Sequence, residues 1–130
     1  MKLLLDTHIL LWSLSGSDQL PSKMKNELEK NSNSLWLSPI SVWEILMLCE
    51  KDRIQIDHKD SITWLKKVLK SIPLKEAPLN HEVAIRSRQV ELPHQDPADR
   101  FLVATALVYD LTLMTVDQQI LDFDQHKICF

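Results

Sequence analysis

Short apolar runs alternating with helical stretches constrain this 130-residue chain more than any other feature. Lys2–Leu5, Leu35–Leu37, Leu111–Val116 and Lys127–Phe130 read as short strands. Ile72–Ala77 is a weaker candidate, because Pro73 cannot donate to a ladder. Helical patterns fill the gaps at Ile9–Leu14, Pro21–Lys30, Ile40–Lys51, Asp60–Ser71 and His81–Val90. A further helix opens at Asp96, and one turn follows near Gln118–Leu121. Strands separated by helices predict an α/β fold, with a central, mostly parallel sheet of about four to five short strands and helices on both faces. Crossovers in such a sheet are right-handed. Every strand end and every following helix start then share one edge, where open sheets bind ligands. The length fits a single domain spanning 1–130, and no repeat or low-complexity tract divides it.

Composition narrows the function classes. A single glycine, Gly16, argues against glycine-rich phosphate loops and against an all-β fold built on tight turns. The net charge of −3 gives no whole-molecule attraction to nucleic acid or acidic membranes, so a nucleic-acid ligand needs a local basic rim. Asp6, Thr7 and His8 interrupt the apolar run Leu3–Leu14, which is too short to span a bilayer, and no membrane association is expected. Cys49 and Cys129 form neither a disulfide framework nor a metal-ligand spacing, so a reducing cytoplasm is the expected setting.

Mapping acids onto the predicted edge is the central step. Asp6 ends the first strand, Glu44 lies in the first turns of the helix after the second, and Asp117 follows Leu111–Val116. Asp99 lies in the first turn of the helix opened by Asp96 and Pro97, which suit the N-cap and first helical positions. Asp6 and Asp117 have a purely structural alternative as caps of the helices that follow them. Glu44 has Ile40, Ser41, Met47 and Leu48 at helical spacing, hence no cation within one turn. Asp99 shares a row with Leu102, Val103 and Ala106, and helix-dipole stabilisation of about 0.3–1 kcal/mol is small beside the cost of burying a charge. Four like charges on one rim raise one another's pKa unless a cation joins them. All-oxygen donors point to Mg²⁺ or Mn²⁺, with water as a nucleophile on a phosphodiester. The five histidines show no HExxH-type pairing.

Four segments resemble, in order, the motifs of PIN-domain ribonucleases, especially VapC-type toxins of bacterial toxin–antitoxin pairs. They are Leu3–His8, Ser41–Ile45, Asp96–Arg100 with Ala104–Ala106, and Leu113–Asp117. The resemblance covers essentially the whole chain. It implies an endoribonuclease that uses Mg²⁺ or Mn²⁺, dimerises, and is held inactive by a cognate antitoxin seated in a groove beside the site. Asp6 and Asp99 would be the main metal ligands, Glu44 would hold the ion directly or through water, and Asp117 would complete the pocket. Thr115 and Asp96 would act behind these ligands, Thr115 by orienting Asp117 and Asp96 by holding its helix. Arg100, Thr7 and His8, beside the acids, are the expected substrate contacts, with Lys51, Arg53, Arg86 and Arg88 available for a phosphate rim. Trp12 and Trp43 are expected mainly in the core, and an antitoxin helix needs an apolar groove near them. Two other readings compete. A haloacid-dehalogenase-like phosphohydrolase needs a second Asp where His8 stands, and a non-catalytic PIN-like module needs none of the four acids.

Overall fold

The computed structural model describes residues 1–56, 58–93, 95–122 and 129–130. Four strands, β1 (Lys2–Leu5), β2 (Ser34–Leu37), β3 (Leu74–Glu76) and β4 (Thr112–Met114), form one sheet in the order β3-β2-β1-β4. Every pairing is parallel: Leu4 faces Trp36 and Leu113, and Trp36 faces Lys75. The expected final strand falls partly outside the described residues, but Cys129 bridges Leu113 in parallel and the Phe130 N–H donates to the Leu113 carbonyl at 2.9 Å.

Seven helices lie among the described residues: α1 (Thr7–Ser15), α2 (Ser22–Glu29), α3 (Pro39–Glu50), α4 (Ser61–Ser71), α5 (His81–Ser87), α6 (Pro97–Tyr109) and α7 (Gln118–Asp122). Local chemistry sets their ends. Asp6, Ser38, Asp60, Asn80 and Asp96 each accept a backbone N–H in the first turn of the following helix. Gly16 ends α1 at φ 65°, a left-handed cap that glycine adopts without strain.

The sheet separates two apolar clusters because strand side chains alternate faces. Leu4 and Leu113 pack with Val83, Leu102, Val103 and Ala106 on the α5–α6 side. Leu3, Leu5 and Met114 pack with Ile9, Ile45 and Leu65 on the other. Burial on both faces explains why these strands are continuous apolar runs. After β3 the chain crosses back to place β4 on the far side of β1, so the strand order reverses between β1 and β4. That switch point, at the carboxyl ends of the strands, is where open α/β sheets form a ligand crevice.

Candidate functional site

Asp6 follows β1 directly and stands at the switch point. Its N–H continues the sheet by donating to the Met114 carbonyl at 3.0 Å. Both oxygens of its carboxylate accept a hydrogen bond: Oδ1 from the Thr7 N–H at 2.7 Å and Oδ2 from the Thr115 hydroxyl at 2.6 Å, each keeping a further lone pair. The same hydroxyl accepts from the Asp117 N–H at 3.0 Å, so Thr115 ties the ends of β1 and β4 together. Thr115 therefore meets Asp117 only at its backbone N–H, and it spends its proton on Asp6. Burial pushes the Asp6 carboxyl above its ordinary value; the bonds from Thr115 and Thr7 and the nearby His8 pull it down, and neighbouring Asp117 pushes it up. Desolvation beside a second carboxylate makes Asp6 an acid that a cation would relieve.

Asp117 is half-buried, and its Oδ1 accepts from the Gln119 N–H at 2.9 Å, so it also starts α7. The capping roles weighed for Asp6 and Asp117 are real and coexist with their place at the switch point. Glu44 and Asp99, both half-buried, lie in the first half of α3 and in the first turn of α6. These helices pack against each other, and both begin on the strand-end side. Asp96 does what a cap does: it is exposed, and its Oδ1 accepts from the Ala98 N–H at 3.0 Å.

Among the described residues no three carboxylate, imidazole or thiolate groups are gathered closely enough to hold a metal ion. The donor chemistry nevertheless suits a hard divalent cation, since all four acids offer oxygen and the desolvated Asp6 carries a like-charged neighbour. Among the described residues two hydroxyls, Thr7 Oγ1 and Ser41 Oγ, are buried without a hydrogen-bond partner. Thr7 is the first residue of α1, next to Asp6, and Ser41 lies in the first turn of α3, one turn before Glu44.

Several expectations need correction. Arg100 is buried, at 7% exposure, and does not face solvent as a phosphate contact. Its Nε donates to the Ser87 carbonyl at 3.0 Å, and its terminal nitrogens to Leu92 at 3.1 Å and Val90 at 3.0 Å. The signal was present in the sequence, because Arg100 shares its helical row with Val103 and Ala104, both buried. Thr7 is fully buried, which removes its side chain as a direct substrate contact. Lys51 caps the C-terminal end of α3 and Arg53 follows it, its N–H on the Leu48 carbonyl at 2.9 Å, so both lie past the half of the helix that carries Glu44. Trp43, expected inside, is 58% exposed because it lies opposite the buried row Ser41, Ile45, Leu48.

His8 is exposed beside Trp12, their rings 5.8 Å apart. Both line a groove of about 560 Å³ with Leu11, Leu14, Ile54, Ile56 and Trp64. The sequence pattern missed the Ile54–Ile56 wall, which has no periodicity of its own. Among the described residues no helix is long and apolar enough to cross a membrane.

A family model described as the PIN domain matches residues 3–125. The chain is 29% identical over 120 residues to ribonuclease VapC22 of Mycobacterium tuberculosis, covering 90% of this chain and 88% of that protein. Its fold resembles a chain in the structure of VapBC2 from Rickettsia felis bound to a DNA fragment from their promoter. That match has a TM-score of 0.71 at 18% identity, over 100% of this chain and 98% of the other. A chain of a toxin–antitoxin complex from Klebsiella pneumoniae aligns with TM-score 0.67 at 22% identity, over 98% and 94%.

Proposed function

Because the chain belongs to the PIN-domain family, we propose that it is a metal-dependent endoribonuclease that hydrolyses RNA phosphodiester bonds as the toxin of a toxin–antitoxin pair. The observation that carries this reading is the Asp6–Thr115–Asp117 link at the switch point, which holds a desolvated carboxylate beside a second one. Asp6 and Asp99 would hold a Mg²⁺ or Mn²⁺ ion, with Glu44 and Asp117 directly or through water. When bound, such an ion supplies charge neutralisation at the phosphodiester and acidifies water. The protein's own part is positional. Thr115 and the Thr7 N–H fix both oxygens of Asp6, and Asp96 fixes the helix start that carries Asp99. His8, exposed on the same rim, remains the candidate contact to substrate.

The proposed protein partners are a cognate antitoxin and a second copy of the chain. The groove bounded by Leu11, Trp12, Leu14, Ile54, Ile56 and Trp64 has the apolar lining that an amphipathic antitoxin helix needs, and it adjoins His8. Trp43 and Ile85, 58% and 62% exposed, leave further apolar surface for self-association. The deciding experiment is cleavage of a broad RNA panel by antitoxin-free protein in Mg²⁺ or Mn²⁺. Cleavage abolished by a chelator supports the enzyme. Intact RNA throughout leaves a partner-binding module instead.

A further inference from the structure

Arg100 is in the wrong place to touch RNA, yet its geometry places two other arginines. α5 and α6 pack against each other and are fastened at both ends. At one end the Tyr109 hydroxyl, on the last residue of α6, donates to the Pro78 carbonyl at 2.7 Å, just before α5. At the other end Arg100, in the first turn of α6, holds the carbonyls of Ser87, the last residue of α5, and of Val90 and Leu92 just after it. The two helices are therefore antiparallel, and the end of α5 lies beside the start of α6 that carries Asp99. Arg86 and Arg88 sit at that end of α5, and both are exposed. Among the described residues neither forms an ion pair or a side-chain hydrogen bond, so their donors remain available to a ligand. From this we infer that Arg86 and Arg88 bind the phosphate backbone of the RNA next to the acidic site, with the buried Arg100 as the clamp that presents them. The inference rests on the nuclease reading for its substrate class. Arginine suits the task because its planar fork matches phosphate oxygens. Exposed Glu82 on α5 and Glu91 after it balance the two arginines in net charge, so the pair acts as discrete contacts and not as a broad basic field.

The test measures binding apart from cleavage. Full-length protein in chelator is titrated with a fluorescent single-stranded RNA across a salt series, as wild type and as the Arg86→Gln/Arg88→Gln double variant. A control pair, Lys66→Gln/Lys67→Gln, makes the same charge change on α4, and melting curves verify folding of both. Two lost phosphate contacts should reduce the slope of log affinity against log salt by about 1.4, with several-fold weaker binding at low salt. The α4 pair should leave both unchanged. Equal effects from the two pairs, an unchanged arginine variant, or no RNA binding by wild type would each overturn the inference. Arginine-dependent binding without cleavage in Mg²⁺ or Mn²⁺ would uphold it and sink the nuclease reading.

Discussion

Thr115 Oγ1 donates to Asp6 Oδ2 at 2.6 Å across 109 residues of sequence, and through this bond the last strand fixes the orientation of the first strand's acid. Thr115→Val keeps the shape but strips Asp6 Oδ2 of its donor and the Asp117 N–H of its acceptor. Leaving buried polar groups unmatched costs about 1–3 kcal/mol each. A melting temperature lower by roughly 5–10 °C is expected, with cleavage reduced about 10–100-fold as for other supports of metal ligands. Thr115→Ser should recover most of both, which paired melting and cleavage measurements would show.

The state of Asp6 gives a pH dependence with a definite sign. Its folded carboxyl is raised above the ordinary 3.8, first by burial. The stability linked to it is therefore fully present below that ordinary value and is lost as pH rises through the raised one. Asp6→Asn, free of this loss, should gain in melting temperature relative to metal-free wild type as pH rises above the ordinary carboxyl value of 3.8. Added Mn²⁺ should raise the wild-type melting temperature at neutral pH and leave the variant unmoved. A constant difference across pH would remove Asp6 from this role.

Arg100→Lys tests the buried clamp. A lysine ammonium cannot reproduce the guanidinium fork that reaches three carbonyls. Stranding them is expected to cost on the order of 3 kcal/mol, seen as a melting temperature about 10 °C lower. Hydrogen exchange should quicken first in the backbone amides of 87–92.

Asp96 and Asp99 stand three residues apart and should separate cleanly. Asp96→Ala removes the cap on Ala98, costing about 1 kcal/mol, while cleavage stays near wild type. Asp99→Asn is expected to abolish cleavage and keep the fold. Stability curves and initial rates on the same preparations distinguish the two.

Leu14, 37% exposed on the groove wall, probes the partner surface. Leu14→Asp should weaken antitoxin binding in calorimetry by at least about 1.4 kcal/mol, or tenfold, and leave RNA cleavage intact. Unchanged affinity would move the antitoxin off this groove.

What the sequence determined by itself was the alternation of elements and, through it, the shared edge. Leu3–Leu5 and Leu113–Met114 are apolar at consecutive positions, as suits a short strand buried on both faces. The caps were equally legible, because Asp6, Ser38 and Asp96 act on atoms one or two residues away. Placing acids at strand ends and helix starts followed from those two facts. What tertiary structure decided was who meets whom across long separations. No periodicity reports that the Thr115 proton goes to Asp6, or which carbonyls, 8–13 residues back, the inward-facing Arg100 takes. An arginine beside an aspartate reads as a phosphate contact until the chain folds back and offers carbonyls that solvent cannot reach. The physical reason is common to both cases. Local propensity depends on neighbours in sequence, whereas the partner of a buried polar group is set by whichever segment the packing of the core brings against it.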